Sequence, residues 1–236
     1  MGLGKSIQLI YLIKQILKDK SDSKILIIAP TSLIYNWKNE FDKFGKELKY
    51  KVFAENKKIR KEELEHLDDI NVLITTYGLV RQDREKYLNM TFELVAIDEA
   101  QTIKNQNAQM TKIVKELKAG TKLALTGTPL ENSVLELWSI FDFIMPGYLA
   151  NNLSFQKKYN IKDVDNDSLK SLDNLNKQIK PFILRRKKKD VVKELPDKIN
   201  NNIYIELNQE QKKLYVAQLE KTKKEMDDII ANEGFT

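Results

Sequence analysis

Apolar residues at Ile7, Ile10, Tyr11, Ile13 and Leu17 recur at helical spacing, which predicts a helix over 7–18. The run KILIIA at 24–29 is apolar without alternation, the pattern of a strand buried on both faces. Pro30-Thr31-Ser32 breaks it, and a second helix is expected over 33–44. Short strands are expected at 50–53 and 71–75, with a charged helix at 59–67 between them. Another buried strand is expected at 93–97. A helix over 107–118, stopped by Gly120, then leads to a strand at 122–125 that ends on Thr126-Gly127-Thr128-Pro129. Strands alternating with helices over 1–130 predict an α/β domain with a mostly parallel sheet flanked by helices.

The pattern changes from Val134 onward. A helix is expected over 134–144, and 151–180 reads as helical, polar and lysine-rich. The basic run RRKKK at 185–189 and Pro196 follow, then one strand at 202–206 and a charged helix over 209–232. There is no internal repeat and no low-complexity linker.

Composition narrows the function classes. In 236 residues, 42% are apolar and 31% charged, as in a globular protein with a sizeable core. No apolar run reaches membrane length, and the N-terminus does not resemble a signal peptide. Cysteine is absent, which excludes disulfides and thiolate-metal sites. The single histidine, His66, lies in a charged stretch and is expected to be solvated. A net charge of +6 and a pI near 9.1 are compatible with a polyanionic partner, although basic surfaces also serve solubility.

Three segments carry candidate chemistry. Met1-Gly2-Leu3-Gly4-Lys5-Ser6 fits the end of the phosphate-loop pattern G-x-x-x-x-G-K-[ST], whose first glycine would fall two residues before Met1. A strand should lead into such a loop, so the chain is expected to begin inside its own phosphate site. Gly2 and Gly4 let the backbone curl around phosphate oxygens, Lys5 would reach the β- and γ-phosphates, and the Ser6 hydroxyl would ligate magnesium. The other interpretation is a chain start that happens to contain the triplet GKS. In the second segment, the strand at 93–97 runs into Asp98-Glu99, placing two carboxylates where ligands bind in open α/β sheets. Asp98 can hold magnesium and Glu99 can orient or deprotonate the attacking water. In the third, the Thr126-Gly127-Thr128 turn can bond to that acidic pair or to a phosphate. It can equally be an ordinary strand-to-helix turn, with Thr128 capping a helix that has Pro129 at its first position.

These segments, with others in the same order, resemble the first ATPase lobe of the SWI/SNF family of DNA translocases, in its bacterial form. The further matches are Ala29-Pro30-Thr31-Ser32-Leu33 with Asn36-Trp37 and Glu40-Phe41, then Ile74-Thr75-Thr76-Tyr77. Asp98-Glu99-Ala100-Gln101 continues into Ile103-Lys104-Asn105, and Leu125-Thr126-Gly127-Thr128-Pro129-Leu130-Glu131-Asn132 is followed by Glu136-Leu137-Trp138. The last is Pro181-Phe182-Ile183-Leu184-Arg185-Arg186, running to Leu195-Pro196.

The resemblance implies a RecA-like P-loop lobe over 1–148 lacking its first strand. Residues 149–236 would form a helical protrusion, a basic brace and the start of a linker to an absent second RecA-like lobe. It implies ATP and Mg2+ as cofactors and double-stranded DNA as partner, with a cytoplasmic, nucleoid-associated location. Lys5, Asp98 and Glu99 would be catalytic; Gly2, Gly4, Lys5, Ser6 and Gln101 would bind the nucleotide; Ser6 and Asp98 would hold the metal. Pro30, Thr31, Ser32, Thr75, Thr76 and Tyr77 would touch the DNA backbone, contacts that position without reading sequence. Thr126, Gly127 and Thr128 would couple nucleotide state to DNA. Trp37 and Trp138 are expected to be packing residues. Without a second lobe and its arginine finger, little ATPase activity is expected. The alternatives are a non-catalytic lobe serving as an interaction module, or a compact P-loop kinase or switch.

Overall fold

The computed structural model describes residues 3–127, 134–159, 166–186, 201 and 206–233. The chain divides into two compact units, Met1–Val191 and Val192–Thr236.

Largely apolar runs put strands β1 (Ile25–Ala29), β3 (Val72–Thr76) and β4 (Thr91–Ile97) at the centre of a five-stranded sheet. The shorter β2 (Tyr50–Val52) and the less apolar β5 (Lys118–Ala124) form its edges. The order is β2-β3-β1-β4-β5 and every pairing is parallel, with Ile25 beside both Val72 and Leu94. The expected α/β class and parallel sheet are therefore present.

Successive side chains point to opposite faces of a strand, so each central strand feeds two cores. Ile25, Ile27, Val72, Ile74, Leu94 and Ala96 face helices α1 (Lys5–Asp19) and α2 (Ile34–Phe44). Leu26, Ile28, Leu73, Val95 and Ile97 face the other way. They pack beneath the layer holding α3 (Lys57–Glu63), α4 (Tyr77–Gln82), α5 (Arg84–Asn89), α6 (Gln109–Glu116) and α7 (Val134–Ile144). A fully buried isoleucine contributes about 1.5–3 kcal/mol, so removing any of these side chains damages one face only.

Three sequence expectations need correction. The helix expected to run to 118 ends at Glu116, and β5 begins at Lys118. Gly120 is not a helix stop: it lies within β5, where a Cβ would meet the Glu93 carbonyl oxygen at 3.3 Å. Helices α4 and α5 fill a stretch for which no element was expected. The strand expected at 202–206 lies almost entirely outside the described residues.

Beyond the sheet, α7 turns Leu137, Trp138 and Phe141 away from the lobe core. These pack against Leu149, α8 (Asn152–Tyr159) and α9 (Asn166–Ile179), through Phe155, Tyr159, Leu175 and Ile179. Trp138 is a packing residue, as expected, and its indole donates to the Ala150 carbonyl at 3.1 Å. Arg185 and Arg186 are exposed, while 187–189 fall outside the described residues. His66 is exposed, as expected.

In the second unit, α10 (Gln209–Glu233) starts from a reciprocal cap. The Gln211 N–H donates to Asn208 Oδ1 at 2.8 Å and the Asn208 N–H donates to Gln211 Oε1 at 3.1 Å. No described helix is long and apolar enough to cross a membrane.

Burial also sets an alkaline limit. Desolvation pushes the Tyr87 phenol from its ordinary 10.0 up to about 12. A folded-state pKa above the unfolded one contributes stability that is complete below the unfolded value and is lost as pH rises through the folded one. Urea midpoints should therefore fall from pH 10 toward 12, and fall less steeply in Tyr87→Phe. Equal slopes in the two chains would remove Tyr87 as a contributor.

Candidate active site

Because all strands run in parallel, the segments that follow them emerge at one edge of the sheet, where α/β proteins bind ligands. Pro30-Thr31-Ser32 follows β1, Tyr77 follows β3, Asp98-Glu99 follows β4, and Thr126-Gly127 closes β5. Helix α1 brings its start to the same edge. Its far end is fixed at the opposite one, where Lys20 pairs with Glu93 near the beginning of β4 at 2.8 Å.

Gly4 precedes α1 in the left-handed region (φ 79°), a conformation that costs an L-residue about 1–2 kcal/mol. Its carbonyl accepts the first helical bond, from the Gln8 N–H at 3.0 Å. Lys5 and Ser6 then stand in the first turn, both half-buried, with no acidic residue beside them. Among the described residues, the Lys5 ammonium pairs with no carboxylate. A helix start with free N–H groups, a cation and a hydroxyl favours phosphate. Gly2 and Thr128 lie outside the described residues.

Asp98 is buried, and all of its oxygens have partners. The Glu99 N–H donates to Oδ1 at 2.9 Å, the Trp37 indole donates to Oδ2 at 2.9 Å, and the Tyr77 hydroxyl donates to the main-chain oxygen at 2.7 Å. An ionised carboxylate offers roughly four lone-pair sites, so Asp98 keeps acceptor capacity for a metal or its water shell. With the Ser6 hydroxyl, this is the hard-oxygen donor chemistry that suits Mg2+.

Glu99 adopts φ 47°, ψ 60°, left-handed backbone that a glutamate rarely takes. The turn is held by the Thr102 N–H and hydroxyl, both donating to the Glu99 carbonyl, at 2.9 and 2.7 Å. The conformation turns the half-buried Glu99 side chain toward Gln101, whose Nε2 donates to Glu99 Oε2 at 2.8 Å. Gln101 Oε1 in turn accepts from the Thr126 hydroxyl at 2.8 Å. A continuous relay thus joins the carboxylate after β4 to the turn after β5. Gly127 is the exposed residue beyond it.

The structure divides the residues expected to face DNA. Thr31 and Ser32 are exposed in a 3-10 turn and Pro30 is half-buried. Thr75, Thr76 and Tyr77 are buried and employed inside the lobe. The Thr75 hydroxyl donates to the Phe53 carbonyl at 3.1 Å, Thr76 caps α4 by accepting from the Leu79 N–H at 3.2 Å, and Tyr77 bonds to Asp98. Of that segment, Gly78 is the exposed residue. Trp37 was expected only to pack. It does pack, at 2% exposure, and it also holds the Asp98 carboxylate. The one sequence signal for this was its chemistry, since a buried indole N–H must find an acceptor.

Known proteins resemble this chain along nearly its whole length. The family model of the SNF2-related domain matches residues 1–234. An uncharacterized ATP-dependent helicase of Mycoplasma pneumoniae is 41% identical over 236 residues, covering 100% of this chain and 22% of that protein. The TATA-binding protein-associated factor MOT1 of Saccharomyces cerevisiae is 37% identical over 255 residues, covering 98% of this chain and 14% of that protein. The chain thus spans under a quarter of the length of these relatives. Among solved structures, the Sulfolobus solfataricus SWI2/SNF2 ATPase core in complex with dsDNA superposes with a TM-score of 0.74 at 38% identity, covering 97% of this chain and 48% of that one. With the family model matched over nearly the whole chain, the chain belongs to the SNF2-related domain family.

Proposed function

We propose that this chain is the ATP-binding lobe of a DNA-translocating ATPase. The observation that carries the proposal is the Glu99–Gln101–Thr126 relay beside the buried Asp98, at the sheet edge that receives the start of α1. Lys5 would neutralise the β- and γ-phosphates while the first N–H groups of α1 cradle them. Ser6 and Asp98 would hold Mg2+, which when bound neutralises charge on the transferred phosphoryl group. Glu99 would accept the proton of the attacking water, and its pairing with Gln101 keeps the carboxylate aimed.

The sheet also has a place for the strand that a phosphate loop requires. The β1 to β2 connection runs over the α1/α2 face, and the three connections after it run over the opposite face in the opposite direction. Right-handed crossovers demand that arrangement. By the same rule, a strand feeding α1 belongs beside the outer edge of β5, whose residues are exposed or half-buried.

Duplex DNA would lie across the exposed Thr31 and Ser32, which can bond phosphates without reading bases. Efficient hydrolysis would await a second lobe that supplies an arginine, a contribution of about 10³–10⁵ in rate in related phosphoryl-transfer enzymes.

Equilibrium binding of a fluorescent ADP to the purified chain tests the proposal. Binding should be saturable and strengthened by Mg2+, and Lys5→Ala should weaken it at least tenfold, since charge-assisted bonds contribute roughly 1.5–3 kcal/mol. Equal affinity in Lys5→Ala would remove the phosphate role and leave an interaction module as the better account.

A further inference from the structure

Two aromatic donors converge on Asp98 from the two segments expected to face nucleic acid. Trp37 lies on α2, five residues beyond Ser32 in the turn that follows β1. Tyr77 is the first residue of α4, directly after the Thr76 cap that ends β3. Their side chains are 2% and 4% exposed, so neither bond competes with water. Trp37 fixes the carboxylate through Oδ2 at 2.9 Å, and Tyr77 fixes the main chain of the same residue at 2.7 Å. The Glu99 N–H takes Oδ1.

The three bonds hold both the carboxylate and the main chain of Asp98. An indole carries one N–H in a fixed direction and a phenol one O–H on a rigid ring, so each bond registers the position of the element that bears it. Helix α2 is a rigid rod with Trp37 and Phe41 in the core and its approach, Thr31 and Ser32, at the surface. The Trp37 bond therefore joins the element that follows that surface turn to Asp98 Oδ2. This route is separate from the Gln101–Thr126 relay, which acts on Glu99.

We propose that Trp37 and Tyr77 are positioning residues that orient Asp98 for the metal and tie the surface segments after β1 and β3 to it. The proposal rests on the nucleotide reading above. Partners that orient a metal-binding carboxylate typically change metal affinity by about 10- to 100-fold when removed.

The test is the Mg2+ concentration that half-saturates fluorescent ADP binding, set against binding without metal. Trp37→Phe keeps an aromatic ring in the core and deletes the donor. It should raise the Mg2+ requirement about tenfold or more and leave metal-free binding unchanged. Tyr77→Phe should shift the same quantity in the same direction. An unchanged Mg2+ requirement, or equal weakening with and without metal, overturns the proposal, because a merely structural role would give one or the other. If the unsubstituted chain binds no nucleotide in either condition, the nucleotide reading fails and takes the proposal with it.

A second measurement needs no folded variant of Trp37. The indole N–H resonances of the chain number two, and Trp138→Phe assigns them. Mg2+·ADP should move the Trp37 resonance and leave that of Trp138 in place. A short duplex should move the Trp37 resonance as well. A Trp37 resonance unmoved by a duplex that demonstrably binds overturns the link to the surface.

Discussion

Asp83→Ala should lower the unfolding free energy of the chain by about 3–5 kcal/mol, the range for breaking a buried ion pair from one side. Arg60 and Asp83 have side-chain exposures of 3% and 0%, and their Nε–Oδ2 distance is 2.8 Å. Arg60 belongs to α3 and Asp83 joins α4 to α5, so the pair fastens three short helices to one another. The same guanidinium donates to the Glu55 carbonyl and, at 3.2 Å, to Gln82 Oε1. Alanine at 83 would strand that charge in the core. The pair is not fully satisfied, however, since among the described residues Asp83 Oδ1 is buried without a hydrogen-bond partner. The double substitution Arg60→Met with Asp83→Leu should therefore recover most of the loss, because apolar replacements of buried pairs are often neutral or stabilising. Urea unfolding followed by circular dichroism decides this. A loss under 1 kcal/mol for Asp83→Ala would mean that water reaches Arg60 and that the burial is not effective; no recovery in the double variant would mean that the pair contributes more than its charges.

Whether an element is legible in a sequence depends on where its stabilisation comes from. Strands β1, β3 and β4 announce themselves because burial on both faces demands apolar residues at nearly every position. Strand β5 does so only in its second half: as an edge strand it is held mainly by backbone bonds to β4, so Lys118, Gly120 and Thr121 carry no strand signal. Helices α4 and α5 have six residues each, too few to display a helical period. They exist because Tyr77, Val80 and Tyr87 are drawn into the core and Thr76 caps the first of them. The candidate site follows the same logic. Asp98, Glu99 and Thr126 are legible as residues after strands, where chain direction alone points them to the ligand edge, whereas Gln101 is expected there only through the family resemblance. The partner of Trp37 is not legible, because Asp98 lies 61 positions away and only the β1–β4 pairing brings α2 to it. Thr75 shows the limit from the other side. In a strand buried on both faces alternation carries no information, so a hydroxyl that donates to Phe53 is indistinguishable in sequence from one that faces solvent.

Joined to a second lobe that completes the site, the chain carrying Glu99→Gln should lose about 10²–10⁴ in hydrolysis, the usual contribution of a positioned base. ATP affinity should stay as it is. Glutamine fills the same volume and can still pair with Gln101, so the relay to Thr126 persists while the proton acceptor disappears. Phosphate release together with equilibrium binding separates the two; normal turnover in this variant would remove Glu99 from its role. The backbone of Glu99 adds a second, independent contrast. Residues held in left-handed conformation store about 1–3 kcal/mol of strain, and such strain gathers at functional sites. Glycine takes φ 47° at no steric cost, but it also gives up the bond to Gln101 and some unfolded-state order. Glu99→Gly should therefore be as stable as the parent or more so while hydrolysing no faster than Glu99→Gln. Stability and activity then move in opposite directions at one position, the signature of a residue kept for its chemistry. A clear loss of stability in Glu99→Gly would show instead that the Glu99–Gln101 bond outweighs the strain, and that the carboxylate is held in place chiefly for the fold.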